Sequence, residues 1–278
     1  MNKESNRQPN GVLPNNRKQF FWYIIRWRFT RLLSMGLLLL LFVLPMLVLL
    51  ARYDIVAATI DSENASNKLI TLQLQTSLLQ IFTYVFLFCG LAGILYLFRQ
   101  LCWDEYASFW DGWWKGVKNG WKHFVAIGLI VGVSNAINTF AQVLFHGFVR
   151  FVPQALFVCI VLPVVLHMFT ADTVYNKKFG NLLSCAAVMY FKTMPVTLLF
   201  SAGIAAVSLL LFVPNFTVRY AIFLILTVIV APIVLLGWML YSLDKFDVYI
   251  NKDNYPDVYR KGLSRVAQDD SEKGETIR

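Results

Sequence analysis

A chain of 278 residues that is 58% hydrophobic and only 15% charged has too little polar material to cover a soluble globule, because soluble domains run at about 25% charged. The composition excludes an ordinary soluble enzyme, and a mean hydropathy of +0.57 points to a polytopic membrane protein. The formal net charge of +9 has to be resolved along the chain before it says anything about partners.

Residues 1–31 form a basic N-terminal segment. Within it, residues 20–31 (FFWYIIRWRFTR) mix aromatics with Arg26, Arg28 and Arg31, which predicts an interfacial helix with a polybasic edge. A hydrocarbon core about 30 Å thick needs roughly 20 mostly apolar residues in a helix. Six stretches meet that length, at residues 32–50, 78–98, 124–145, 151–170, 195–213 and 220–243, and none contains Asp, Glu, Lys or Arg. Their continuous Leu, Ile, Val and Phe runs differ from the alternation of a barrel strand. The first run is longer than a signal-peptide core and follows a long flank, so it reads as an uncleaved signal anchor. The expected domains are therefore 1–31, a six-span transmembrane domain at 32–243, and a tail at 244–278 that is partly disordered.

Cytoplasmic loops hold an excess of Lys and Arg. With the N-terminus inside, 21 of the 25 basic residues fall on the inner side, and only Arg52, Lys68, Arg150 and Arg219 fall outside. This predicts both termini in the cytoplasm and makes the net charge a matter of topology and anionic headgroups, not of nucleic acid. Cys89 and Cys159 lie inside spans, with Cys102 and Cys185 on the inner side, a placement that indicates neither a disulfide framework nor a zinc site. Asn64-Ala65-Ser66 and Asn215-Phe216-Thr217 match the glycosylation triplet on the outer side, a pattern that arises often by chance.

Between spans two and three, residues 103–123 (WDEYASFWDGWWKGVKNGWKH) sort on a helical period. Trp103, Tyr106, Trp110, Trp113, Trp114, Val117 and Trp121 follow one face, and Asp104, Asp111, Lys115, Lys118 and Lys122 another. The expectation is a cytoplasmic helix lying flat at headgroup depth, either as an anchor or as a docking surface. Residues 171–194 repeat the pattern more weakly between spans four and five. Trp110, Trp113 and Trp121 stand at a constant offset of 69 from Phe179, Leu182 and Tyr190, which hints at a span–helix–span duplication.

Intramembrane charges mark ion pathways, and the spans hold none beyond His167, with His123 and His146 at span edges. That argues against carboxylate-dependent ion-coupled transport. With no H-E-x-x-H, G-x-S-x-G, Walker A or GxGxxG pattern in the chain, the expectation is a protein without catalytic residues, metal or cofactor. Span three does carry a polar face: Asn135, Asn138, Gln142 and His146 recur at steps of three and four, with Thr139 beside them. These side chains are either interhelical glue or an outward-open polar groove for a small solute. Pro45, Pro163 and Pro232 lie within spans, where kinks fit gating and static packing alike. Gly128 and Gly132 have the spacing that permits close helix approach, and Gly90 with Gly93 is a looser pair.

Trp113-Trp114-Lys115-Gly116-Val117-Lys118-Asn119-Gly120-Trp121-Lys122 resembles the (aromatic)-x-K-G-F-K-x-N-(aromatic)-K segment of YesL-like bacterial membrane proteins. The tail residues Asp247-Val248-Tyr249-Ile250-Asn251, Tyr255-Pro256 and Lys261-Gly262-Leu263 are similar to the closing segment of some members. The chain departs from that pattern at Val117 and Asn119, and again in an outer loop expected at residues 51–76. The resemblance implies an integral protein of the bacterial cytoplasmic membrane, of unknown biochemical activity, often found beside carbohydrate-uptake systems, and it transfers no catalytic residue. Two functions follow from these readings: an accessory or scaffold component of a membrane assembly, whose partners would be the bilayer and other membrane transport components, or a passive small-solute or lipid transporter. The sequence does not indicate an oligomeric state.

Overall fold

The computed structural model describes residues 14–60, 65–105, 108–175 and 177–264. Tyr106, Asn64 of the first glycosylation triplet, and the end of the tail from residue 265 lie outside the described residues. Among the described residues every regular element is helical. The chain is an all-helical polytopic membrane protein, with five helices long and apolar enough to cross a membrane, or six if one bent pair counts as a span.

The short helix α1 (Arg17–Trp27) is capped by the Asn16 side chain, which accepts from the Gln19 N–H at 2.8 Å. It buries Phe20 and Ile24 and leaves Trp22 and Trp27 exposed, the two-faced pattern read at residues 20–31. Arg28 interrupts the helical geometry, and α2 (Phe29–Ala58) then runs the length of the bundle. α3 begins at once, so the long loop expected at residues 51–76 is wrong: α2 extends to Ala58 and α3 spans Ala65–Cys102. Both helices project past the apolar runs because helical hydrogen bonding continues into their polar ends.

The flat helix expected at residues 103–123 is also corrected. Its Trp-rich residues open a single 36-residue helix, α4 (Phe109–Leu144), which shares the largest helix interface of the fold with α3. The reason is a seam of glycines. Gly112, Gly116, Gly120, Gly128 and Gly132 recur at multiples of four and are all buried; Gly112, Gly116, Gly128 and Gly132 face α3, while Gly120 faces Asp172 instead. A Cβ on Gly116 would stand 2.4 Å from Tyr96 Cβ, and one on Gly128 would stand 2.9 Å from Val85 Cα. The backbones therefore touch, and the amphipathic stretch is held to α3 in line with its span.

The second half behaves differently. α5 (Gly147–Val174) opens with a 3-10 turn and contains a π-turn at Phe157–Val161 just before Pro163. α6 (Phe179–Lys192) and α7 (Met194–Ala206, continued as a 3-10 turn to Phe212) meet at a bend of 103°. Pro195 stands at the start of α7, where it can offer no N–H and its ring would clash with the carbonyl four residues back. The chain therefore turns at Thr193. Here the amphipathic segment read at residues 171–194 is a separate helix, unlike its counterpart in α4.

α8 (Phe216–Asn254) contains π-turns at Leu226–Val230 and Asp247–Asn251. It passes the expected boundary at residue 243 without a break. One of the span prolines has its orphaned carbonyl met by a donor from a neighbouring helix, as lipid burial demands. Tyr190 donates its hydroxyl to the Cys159 carbonyl, four residues before Pro163, at 2.6 Å. Gly36 approaches the Val228 carbonyl, four residues before Pro232, so closely that a Cβ there would lie 2.0 Å from the oxygen.

Candidate functional site

The polar face of span three makes one hydrogen bond to a neighbouring helix. Asn135 donates its amide to Gln80 Oε1 of α3 at 2.9 Å, and Thr139 donates to the Asn135 carbonyl at 3.1 Å. Asn138 is half-buried with an Oδ1 that finds no partner among the described residues, and Gln142 and His146 are exposed. A cavity of about 380 Å³ does lie along this half of α4, but its walls are apolar (Ile81, Ala136, Ile137, Phe140 and Leu144 among them) and none of the five polar residues lines it.

The five tryptophans read as one interfacial face are divided by the packing. Trp103 is buried, and the cations of Arg99 and Lys261 stand over its ring at 4.5 and 4.3 Å. Trp113 is half-buried over Gly93 of α3 and donates to the Gly90 carbonyl at 3.4 Å. Trp110, Trp114 and Trp121 point outward and are 63%, 52% and 48% exposed. Because the glycine stripe fixes which side of α4 meets α3, only these three remain for the headgroup region or a partner.

The tail residues 247–263 close one end of the bundle, which also carries both described ends of the chain. Asn251 is fully buried; it donates to Asp247 at 2.8 Å and accepts from the Tyr175 hydroxyl. Burial first, and then Cys185, Asp247 and Tyr255 nearby, hold the Tyr175 phenol well above its ordinary value, so it stays a donor. Tyr255 packs on the Tyr175 ring at 5.0 Å, Lys192 stands over Tyr249, and Pro256 is exposed. Gly262 has φ +89°, and a Cβ there would lie 2.4 Å from the Cys102 carbonyl oxygen, so glycine is required on both counts. The buried Arg17 of α1 locks this end. It pairs with Asp247 at 3.0 Å and donates to the carbonyls of Lys261 at 3.0 Å and Cys102 at 3.4 Å.

Beside that lock lies a polar cleft of about 280 Å³ between the ends of α3 and α5 and the first half of α4. Arg99, in the last turn of α3, stacks on Tyr96 at 4.2 Å and donates to the Thr173 carbonyl and to Glu105, both at 3.1 Å. Glu105 also takes Lys261 at 2.8 Å. Across the cleft His123 Nδ1 meets Asp172 Oδ1 at 2.5 Å. The absence of a side chain at Gly120 makes that pairing possible, since a Cβ there would lie 2.9 Å from Asp172 Oδ2. Lys177 closes the rim over the Tyr175 and Tyr255 rings, 5.2 Å from each. Sequence reading noted His123 as a span-edge residue but did not bring Arg99, Asp172 and Lys177 to it. Arg99 and His123 are separated from Asp172 and Lys177 by 49 residues or more, and the packing of α3, α4 and α5 places them together.

A second polar cluster sits between α5, α7 and α8. His167 Nε2 lies 3.0 Å from the Thr193 hydroxyl and 3.2 Å from that of Thr197, with the Trp238 ring 5.0 Å away. His167 Nδ1, Thr170 Oγ1, Ser201 Oγ and Ser242 Oγ are buried and find no partner among the described residues. Among the described residues no group of His, Cys, Asp and Glu is placed to hold a metal ion. No family model, no curated protein and no solved structure matches this chain.

Proposed function

We propose that the protein is a multi-pass scaffold or accessory component of a bacterial cytoplasmic-membrane assembly, with both termini in the cytoplasm and no catalytic activity or cofactor of its own. The Asn135–Gln80 hydrogen bond across α3 and α4 carries this reading, because it ties the innermost amide of that polar face to α3 and leaves it no part in lining a groove. The packed glycine seam gives the α3–α4 pair the rigidity of a platform, and the outward Trp110, Trp114 and Trp121 supply large amphipathic contacts of the kind enriched at interfaces. The inner-side excess of basic residues supports the orientation, and the similarity of the Trp113–Lys122 and tail motifs to YesL-like proteins supports a place beside carbohydrate-uptake components.

The test is copurification after cross-linking in native membranes, with wild type beside a variant carrying Trp110→Ala, Trp114→Ala and Trp121→Ala. A discrete partner retained by the wild type and lost by the equally folded variant is expected. Equal recovery from both contradicts the reading. A second reading, passive passage of a small solute, is favoured by one specific observation: the unmet polar atoms of Asn138, His167, Thr170, Ser201 and Ser242.

A further inference from the structure

The cleft between α3, α4 and α5 has a charge pattern that the scaffold reading does not use. Two permanent cations, Arg99 and Lys177, line it against the carboxylate of Asp172, and the Glu105–Lys261 pair adjoins Arg99. Glu105 is shared by Arg99 and Lys261, and Asp172 is held by His123. Among the described residues no carboxylate lies within ion-pair distance of Lys177, and Arg99 Nε has no acceptor. The remaining donors are therefore cationic, and the exposed amide side chain of Asn119 stands at the rim.

Position narrows the ligand. Arg99 ends α3, Lys177 follows α5, and the exposed Trp114 and Trp121 stand on the same stretch of α4 with Lys118 and Lys122 over their rings. Tryptophan and lysine belts of this kind mark the headgroup layer. Basic pockets between spans at that level suit lipid phosphates, and a planar guanidinium suits phosphate oxygens.

We propose that this cleft is a binding site for a phosphate-bearing anion, with Arg99 and Lys177 as its charge partners, His123 as a hydrogen-bonding partner positioned by Asp172, and Gly116 and Gly120 keeping its floor open. The shared chemistry is a terminal phosphate with net negative charge, whose source is a monoester lipid headgroup such as that of phosphatidic acid or a soluble phosphate. The site stands independently of the scaffold role.

The experiment is calorimetric titration of the full chain, in a nonionic detergent, with dihexanoyl phosphatidic acid, dihexanoyl phosphatidylcholine and inorganic phosphate. Saturable binding of the phosphatidic acid that exceeds the phosphatidylcholine is expected. Lys177→Gln should weaken it about fivefold or more. Asn119→Trp, which plugs the rim from an exposed position, should abolish it, and Lys115→Gln, exposed on α4 outside the cleft, should leave it unchanged. Competition by inorganic phosphate assigns the source to soluble phosphate, and its absence assigns it to the headgroup; either supports the site. The proposal is overturned by equal binding of both lipids, by full binding in Asn119→Trp, or by an equal loss in Lys115→Gln, which would mark general surface attraction. If Lys177→Gln fails to fold, Asn119→Trp decides.

Discussion

The α3–α4 pair and the α5–α6–α7 segment start from similar sequence patterns, a span joined to an amphipathic stretch and a second span, and reach opposite structures. In the first, the amphipathic stretch merges into a straight 36-residue helix. In the second, it stands off the following span at 103°. The hydrophobic period is comparable in both, so it does not decide the outcome. What differs is backbone chemistry. Gly112, Gly116, Gly128 and Gly132 let α4 lie on α3, whereas Pro195 removes the bond that would carry α6 into α7. The constant offset of 69 between aromatic positions of the two stretches thus marks a shared pattern realised in two geometries.

Substitutions at glycine break that comparison most strongly. Gly116→Ala puts a methyl 2.4 Å from Tyr96 Cβ and 2.9 Å from Gly93 Cα, and forced overpacking costs about 1–3 kcal/mol or more. Loss of folded protein, or a marked fall in the thermal transition in detergent, is expected. Gly180→Ala in α6 meets open space and should leave stability unchanged or raise it by roughly 0.5–1 kcal/mol. Equal destabilisation by the two would remove the glycine seam as the cause of the difference.

Next in size is Tyr190→Phe. It strips the hydroxyl from the Cys159 carbonyl that Pro163 leaves unpaired, and an unmet polar group costs about 1–3 kcal/mol. The thermal transition should fall, and a joint Tyr190→Phe and Pro163→Ala variant should recover part of the loss because the helix then supplies its own donor. Failure of any rescue would show that the hydroxyl serves something other than the proline.

The smallest expected change is at the polar face of span three. Asn135→Leu and Gln80→Leu should each cost about 0.6–2 kcal/mol, and the double variant should cost less than the sum, since both remove one bond. Strict additivity would contradict the interhelical bond.

Much of the architecture is legible in the sequence. Apolar runs long enough to span locate the helices, and the amphipathic stretch at residues 171–194 can be read from its period, whereas the break at Arg28 falls inside the helix expected at residues 20–31. The merging of residues 103–123 into α4 is less legible, because an aromatic face at helical period suits a flat helix as well as a packed one. The signal was present in Gly112, Gly116 and Gly120, whose spacing continues that of Gly128 and Gly132. The cleft is the least legible feature. His123, Asp172 and Arg99 are unremarkable span-edge residues until the packing of α3, α4 and α5 brings them together, and pairing across a sequence gap carries no local signature. The outward and inward tryptophans likewise separate only once the face of α4 that meets α3 is known.

A closed platform, with Asn135 and Gln80 tying span three to α3, passes no solute of its own. The most direct test is solute and water flux in liposomes containing this protein alone, correctly folded, against protein-free liposomes. The account predicts equal rates. Flux above the protein-free level that disappears in a variant carrying Asn135→Leu and Asn138→Leu would contradict it and make the polar face of span three a pathway.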